Sequence, residues 1–257
     1  MDYHKLLTLS TDLGFLLLES GAEIYRVEES VQRLLAAYGL TSGEAFVIPN
    51  CITVSLVTPD GQALTRVRRM PTHGTDIDLL ERCNTLCRKL CRDRPPLDQA
   101  EAGLAAVTQS PRNYSLPVQL FGYFLGAGAF ALFFGGSVLD GLCAGVCGIA
   151  IAFCLIFMTN LGTNLFFKTV AAGTLSALLA LALCFFGLGQ HVDLITIGAL
   201  MLLVPGLIFT NAMRDIMAGD MVAGLTKSAE ALLIGAAIAL GTGVALWLAR
   251  LLWGGGV

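Results

Sequence analysis

The chain has 257 residues and a formal net charge of −3, which gives no reason to expect a nucleic-acid partner. Its mean hydropathy of +0.73 hides a division, because 26 of the 35 charged side chains precede Pro117. The residues after that point contain five segments without a charged residue or a histidine, each about long enough for a helix to cross ~30 Å of hydrocarbon. We therefore expect a soluble α+β domain (residues 1–113) followed by an all-α polytopic membrane domain (residues 114–257), with the lipid bilayer as one partner.

The soluble domain begins with leucines at helical spacing, and Ser20-Gly21 is a typical helix stop. A second helix is predicted from Ala22 to Gly39, with Glu29 and Arg33 paired one turn apart. The pattern then predicts three strands, with a hairpin turn between the last two, and two further helices. These are Ala45–Ile48, Ile52–Val57 and Ala63–Val67 for the strands, and Asp76–Leu90 and Leu97–Val107 for the helices.

The sequence predicts no cofactor and no metal site. Cys83, Cys87 and Cys91 recur every fourth residue and could share a metal ion, but no histidine or further cysteine pair completes a familiar ligand set. Packing as small apolar side chains is the favoured interpretation. No ATP-binding motif is present, so any uphill transport would draw on the proton gradient or the membrane potential.

We predict five membrane-spanning helices. They are Pro117–Gly136, Gly141–Met158, Thr169–Leu188, Leu194–Thr210 and Ala231–Ala249. The first 20 residues lack the pattern of a secretory signal, and Lys and Arg are more frequent on the N-terminal side of the membrane. Both observations predict an inner (plasma) membrane protein with its N-terminal domain in the cytoplasm and its C-terminus on the periplasmic or external side.

Two GxxxG motifs predict close helix packing in the membrane domain. Gly122 and Gly126 form the first, and Gly141 and Gly145 form the second. Asp140 is expected to cap the second span.

The fourth predicted span carries the candidate transport site. Pro205 and Gly206 interrupt the helix, and broken membrane helices expose backbone groups that bind charged substrates. Thr210 and Asn211 add hydrogen-bonding groups after the break. Arg214 can hold a carboxylate with two hydrogen bonds, and we expect Asp215 to neutralise Arg214 when no substrate is present.

Further polar residues extend this candidate site. Asn160 and Asn164, at the end of the second span, form a second cluster on the same predicted side of the membrane. Glu230 opens the fifth predicted span, where it either stabilises the helix N-terminus or carries a proton. Asp215 and Glu230 are therefore the candidates for proton coupling.

Two long motifs resemble those of the threonine/serine exporter family. The first is the segment SGAEIYRVEE, which contains Ser20, Gly21, Glu23, Tyr25, Arg26 and Glu28. The second runs from Leu203 to Ala231 and contains Pro205-Gly206, Asn211, Arg214-Asp215, Gly219-Asp220, Gly224 and Glu230. The resemblance covers nearly the whole chain.

This resemblance implies a secondary transporter subunit, and not an enzyme, that exports threonine and serine or a dicarboxylate such as succinate. Single-chain family members are about twice as long, so the resemblance is to the large subunit of the split form. Its expected partners are a separate small membrane subunit of the same family, or further copies of itself, and a small carboxylate substrate.

Two other functions remain open from the sequence. One is a membrane-anchored hydrolase that uses His73 with Glu19, Glu23 or Glu28 for acid–base chemistry. The other is a regulatory subunit that senses a metabolite through the soluble domain.

Overall fold

The structure is a computed structural model that describes residues 1–71, 74–109 and 114–253. The described residues divide into two compact units. The sheet unit comprises the described residues of Met1–Arg112 together with Leu207–Ala229. The helical unit comprises the described residues of Asn113–Gly206 and Glu230–Val257. His73 lies outside the described residues. Residue 113, at the predicted domain boundary, also lies outside them.

The sheet unit has two helices before its strands and two after them. They are α1 (Tyr3–Glu19), α2 (Ile24–Ala37), α3 (Ile77–Asp93) and α4 (Leu97–Gln109). Asp2 caps α1 and Asp76 caps α3, because each side chain accepts a hydrogen bond from a backbone N–H in the first turn of its helix. The predicted order of helices and strands is confirmed for this part of the chain.

The described strands form an antiparallel sheet in the order β1-β2-β3. They are β1 (Glu44–Ile48), β2 (Cys51–Val57) and β3 (Ala63–Arg69). The predicted hairpin turn closes through a hydrogen bond from the Thr58 amide to the Gln62 carbonyl (2.9 Å), with Gly61 at a φ of 80°.

The core of the sheet unit lies under one face of the sheet. Leu6, Leu9, Leu13 and Leu17 of α1 are fully buried there. Cys83 and Cys87 are also buried in this core, which agrees with their interpretation as small apolar residues. Among the described residues, no group of three or more His, Cys, Asp or Glu side chains could hold a metal ion.

The remaining helices carry most of the apolar sequence. They are α5 (Leu116–Phe133), α6 (Val138–Asn160), α7 (Leu165–Phe185), α8 (Val192–Leu200), α9 (Gly206–Ala218) and α10 (Met221–Trp253). The start of α10 corrects the sequence prediction, which opened the last helix at Ala231. Glu230 therefore lies inside α10, and it does not stabilise a helix N-terminus.

Among the described residues, four helices are long and apolar enough to cross a membrane: α5, α6, α7 and α10. The fourth predicted span, Leu194–Thr210, is instead divided into α8 and α9 by the non-helical segment around Pro205. A helix of nine residues reaches about 14 Å, which is too short to span the bilayer. The break arises because proline has no N–H to donate and its ring displaces the preceding turn.

Glycines bring α5 and α6 close together. A Cβ at Gly148 would lie 2.5 Å from the Tyr123 carbonyl oxygen, and one at Gly145 would lie 2.5 Å from the Phe124 ring. The second GxxxG motif therefore packs closely, as predicted. The first motif packs closely at one glycine: a Cβ at Gly126 would lie 3.0 Å from a Leu202 side-chain carbon, whereas a Cβ at Gly122 would meet open space among the described residues.

Asp140 does more than the predicted capping of α6. Ser137 is the N-cap of α6, and Asp140 completes a capping box by accepting a hydrogen bond from the Ser137 amide (2.9 Å). Its buried carboxylate also accepts hydrogen bonds from the amides of Gln190 (2.7 Å) and His191 (3.0 Å) and contacts the His191 ring. Asp140 thus ties the loop before α8 to the start of α6.

We predict that Gly148→Ala destabilises the helical unit, because the added methyl group must displace the α5 backbone. The expected cost is about 1–3 kcal/mol, as for other overpacked cores. Thermal unfolding of the protein in detergent would measure it. The matched control is Gly122→Ala, which adds the same methyl group to open space and should unfold at the wild-type temperature or slightly above it. Equal unfolding temperatures for the two variants would contradict the packing.

Candidate functional site

The corner between α1 and α2 presents backbone groups that need partners. Ser20 is buried and donates its hydroxyl proton to the Leu17 carbonyl (2.8 Å). Gly21 adopts a φ of 91°, a conformation that side-chain-bearing residues rarely adopt. A Cβ at Gly21 would also lie 2.8 Å from the Gly74 carbonyl oxygen. The Ser-Gly pair of the first motif therefore shapes this corner, which leaves the first amide of α2 without a partner inside the helix.

Asp215 of α9 caps α2 from 191 positions further along the chain. Its carboxylate is fully buried and accepts a hydrogen bond from the Ile24 amide (3.0 Å), in the first turn of α2. A carboxylate at this place also interacts favourably with the helix dipole. The two sequence motifs thus meet at the N-terminus of α2.

Lys227 of α10 neutralises Asp215. Its ammonium lies 2.7 Å from the Asp215 carboxylate and 3.5 Å from the Ala22 carbonyl oxygen, and only 7% of the residue is exposed. A buried charge without a partner is costly, so each of these two residues requires the other. Sequence analysis missed this role for Lys227, which lies between the fourth and fifth predicted spans.

Two glycines of the second motif bring Lys227 next to Asp215. Gly219 ends α9 with a φ of 101° and lets the chain reverse direction. A Cβ at Gly224 would lie 2.8 Å from the Ala212 carbonyl oxygen, so glycine permits the first turn of α10 to approach α9 closely. Lys227 follows Gly224 by three residues and therefore lies almost directly one turn further along α10. Gly219-Asp220 is the sequence signal that marks this early helix start.

Arg214 pairs with Glu23, and not with Asp215 as the sequence predicted. Its Nη1 atom donates to a Glu23 carboxylate oxygen over 2.7 Å. The correction follows from the burial of Asp215, which faces Lys227 and Ile24, whereas the adjacent Arg214 side chain remains about half exposed. Arg26 adds a second guanidinium 3.4 Å from the other oxygen of Glu23.

Glu23 is a buried carboxylate between these two arginines. Burial alone would raise the pKa of Glu23, but a hydrogen bond from its own backbone and the Arg214 and Arg26 guanidinium groups outweigh burial. The pKa of Glu23 is therefore lower than that of an ordinary glutamate. At neutral pH the Glu23–Arg214 pair is fully charged.

Asn211 completes the contact between the two motifs. Its side-chain amide donates to the Gly21 carbonyl (3.0 Å), one turn of α9 before Arg214 and Asp215. We refer to Glu23, Asn211, Arg214, Asp215 and Lys227 as the Glu23–Asp215 cluster. All five lie in the sheet unit.

Other residues of the first motif lie nearby with separate partners. The Tyr25 hydroxyl accepts a hydrogen bond from Arg26 (3.0 Å), and a Glu28 carboxylate oxygen accepts one from the Val47 amide (2.9 Å). Burial and the nearby Asp220 carboxylate raise the pKa of Glu28, and the hydrogen bond from Val47 partly offsets this. Glu28 thus connects α2 to the sheet.

The remaining sequence-predicted residues have local roles or lie apart from the cluster. Pro205 and Gly206 belong to the helical unit. Asn164 caps α7 by accepting a hydrogen bond from the Phe167 amide (3.0 Å), and Asn160 is the exposed last residue of α6. Thr210 is exposed on α9, one residue before Asn211.

Comparisons with known proteins identify relatives over nearly the full chain. A family model described as a putative threonine/serine exporter matches residues 8–249. The chain is 28% identical over 258 residues to a threonine/serine exporter from Corynebacterium glutamicum, covering 96% of this chain and 52% of that protein. It is 27% identical over 243 residues to a probable threonine/serine exporter from Mycobacterium tuberculosis, covering 94% and 46%.

A more distant relative is the pheromone-regulated membrane protein 10 of Pichia sorbitophila, at 25% identity over 252 residues, covering 91% of this chain and 24% of that protein. The chain spans about half the length of the two bacterial relatives. No solved structure matches the chain.

We predict that Asp215→Asn strongly destabilises the sheet unit, because Lys227 would then be a buried charge without a counter-ion. Asparagine keeps an oxygen that can accept the Ile24 hydrogen bond, so the substitution isolates the loss of charge. The expected cost is about 3–5 kcal/mol, measured by thermal or denaturant unfolding. Adding Lys227→Met to this variant should recover much of the lost stability. Asp93→Asn is the control, because Asp93 forms an exposed pair with Arg92 and its substitution should be nearly neutral. An unaltered unfolding temperature for Asp215→Asn would show that the stability of the sheet unit does not depend on the charge of Asp215.

We also predict that the Glu23–Arg214 pair loses its stabilising effect in acid. The pKa of Glu23 is lowered by folding, so the stabilisation is present above the ordinary glutamate pKa of 4.5 and decreases as the pH falls through the lower folded value. Glu23→Gln should therefore lower the unfolding temperature at pH 7 and have a smaller effect near pH 3. Unfolding curves of both proteins between these values would test this.

Proposed function

The chain belongs to the threonine/serine exporter family, and we propose that it is a secondary transporter subunit that exports small carboxylate metabolites. Family membership and the four apolar helices support a function in membrane transport. The substrate is threonine and serine, which the names of the bacterial relatives suggest, or a dicarboxylate such as succinate. We propose no enzymatic activity, because the relatives are named as exporters and Glu23 and Glu28 already bind Arg214 and Val47.

The observation that carries this proposal is the Glu23–Arg214 pair. It joins the two family motifs through a charged contact of 2.7 Å, and the arginine remains half exposed. A guanidinium group in this position can bind a carboxylate with two parallel hydrogen bonds. We infer that the substrate carboxylate competes with Glu23 for Arg214.

Such an exchange offers a way to couple transport to protons. When the substrate takes Arg214, Glu23 loses one of the groups that hold its pKa low, and its affinity for a proton rises. Asp215 can take part only if Lys227 moves away from it, because the two groups are in contact. Glu230 remains the second candidate for a proton carrier, now from a position inside α10.

We propose that the segment α8–Pro205–α9 provides a fifth, broken membrane passage in addition to the four continuous helices. Support comes from its apolar sequence and from the interruption at Pro205 and Gly206, which is tolerated at membrane depth where it is buried in protein or lines a water-filled cavity. In this arrangement the N-terminal domain faces the cytoplasm, the C-terminus faces the periplasm or exterior, and the protein resides in the inner membrane. Asn160 and Asn164 would then lie near the cytoplasmic surface.

We further propose that transport requires a second membrane component. The region of the two bacterial relatives that aligns with this chain is about half of their length, which leaves room for a second component in a complete transport path. A small membrane subunit of the same family, or self-association, would provide it.

A regulatory function is the second candidate. A pocket with three arginines between α2 and α3 favours it, because such a pocket can bind a metabolite without transporting it. In that case the partner alone would conduct, and substitutions at Thr210, Asn211 and Arg214 would leave transport intact.

We predict that Arg214→Ala abolishes efflux while leaving membrane insertion intact. The reason is that alanine cannot bind the substrate carboxylate. The measurement is efflux of labelled succinate, threonine and serine from cells that make this chain alone, a candidate small subunit alone, or both. Efflux is expected only from cells with both proteins.

The matched control is Arg92→Ala, which removes an exposed arginine paired with Asp93 outside the cluster. It should leave efflux at the wild-type rate. Arg214→Lys keeps the charge without the planar fork, so an intermediate rate is expected. Normal efflux from Arg214→Ala would remove Arg214 from the transport site.

A further inference from the structure

A pocket of about 430 Å³ lies between α2 and α3, within the sheet unit. Its charged side chains are three arginines, Arg26, Arg33 and Arg88, and one carboxylate, Glu29. Three positive charges and one negative charge leave a net charge of two positive. The volume falls within the range of about 300–1,000 Å³ that is usual for small-molecule sites.

Helical spacing directs these side chains to the pocket. Arg26, Ser30 and Arg33 recur at intervals of three and four residues on one face of α2. Asn84, Arg88 and Cys91 recur in the same way on α3. The two faces together form a polar site with amide and guanidinium donors.

The cysteines of the pocket do not cancel its positive charge. Burial, aided by the neighbouring Cys91, raises the pKa of the Cys87 thiol to about 12, and burial also raises the pKa of Cys91. Both are neutral thiols at physiological pH. Glu29 is already in contact with Arg33 over 2.5 Å, so it neutralises one of the three arginines. Arg88 therefore remains for an incoming anion, together with Arg26, whose contact with Glu23 is longer at 3.4 Å.

Arg26 connects this pocket to the Glu23–Asp215 cluster. Its Nε atom lies 3.4 Å from one Glu23 oxygen, and Arg214 binds the other oxygen over 2.7 Å. An anion that draws Arg26 towards the pocket therefore weakens the contact between Arg26 and Glu23. Anion binding in the pocket and the Glu23–Arg214 contact then affect each other.

We propose that this pocket is a regulatory site that binds a small dianionic metabolite through a carboxylate or phosphate group and acts on the Glu23–Asp215 cluster through Arg26. A carboxylate and a phosphate each present a pair of oxygens that a guanidinium group can bind with two parallel hydrogen bonds. The proposed binding of an anion in the pocket does not depend on the transport function. Only the regulatory consequence rests on the proposed exporter activity.

The test is calorimetric titration of the full chain in lipid nanodiscs, with succinate in one series and inorganic phosphate in the other. At least one of the two probes should bind, more weakly at higher salt. Arg88→Ala and Arg26→Ala should each weaken binding about tenfold or more, because each removes a charge-assisted hydrogen bond. The control Arg92→Ala lies one helical turn beyond Arg88 on α3, outside the lining of the pocket, and should bind as wild type does.

Arg214→Ala separates this site from the transport site, because it removes the transport arginine and leaves the pocket lining unchanged. Binding that persists in Arg214→Ala and is lost in Arg88→Ala assigns the anion to the pocket. The proposal is overturned if neither probe binds, if Arg88→Ala or Arg26→Ala binds as wild type does, or if Arg214→Ala abolishes binding. A failure of efflux in cells would not affect this result, so the two proposals fail separately.

In the transport assay, Arg88→Ala should leave basal efflux unchanged and remove the response of efflux to the anion that binds wild type. A response that Arg88→Ala retains would overturn the coupling through the pocket.

Discussion

The buried contact between Asp215 and Lys227 is the constraint on which the sheet unit depends. The Asp215 carboxylate also caps α2, so a single fully buried side chain joins the start of α2 to α9 and α10. Two charges held away from water stabilise a fold only when each has its partner and its remaining hydrogen bonds are made. Here the Ile24 amide and the Ala22 carbonyl complete those bonds. This requirement fixes the register of the two family motifs against each other.

The same arrangement explains why the adjacent arginine is available for chemistry. Consecutive residues of a helix point in directions about 100° apart, so burial of Asp215 leaves Arg214 at the edge of the cluster. There it meets Glu23, whose carboxylate is buried between Arg214 and Arg26. Rigid support on one side and partial exposure on the other are the conditions under which a guanidinium group can exchange one carboxylate for another. Arg26 is shared between this cluster and the basic pocket, which gives the pocket a physical route to the cluster.

Glycine decides how closely helices approach in both units. In the sheet unit, Gly224 allows α10 to lie against α9, and Gly219 permits the reversal between them. In the helical unit, Gly145 and Gly148 allow α6 to lie against α5. Without water to drive apolar helices together, such close backbone packing is a main source of association in a membrane. Asp140 adds a polar tie by capping α6 and binding the amides before α8.

The sequence by itself determined the division into polar and apolar parts, the order of helices and strands in the sheet unit, the break at Pro205 and the family. These follow from hydropathy, periodicity and local turn chemistry, which act over short stretches of chain. Only the tertiary structure showed that Arg214 binds Glu23 and that Asp215 binds Lys227. Local reasoning had paired Arg214 with its neighbour Asp215 and had begun the last helix at Ala231, because an apolar run marks where lipid begins and not where a helix does. The cluster joins residues about 190 positions apart, and such a contact is decided by packing and by the cost of burying charge, which no local pattern records.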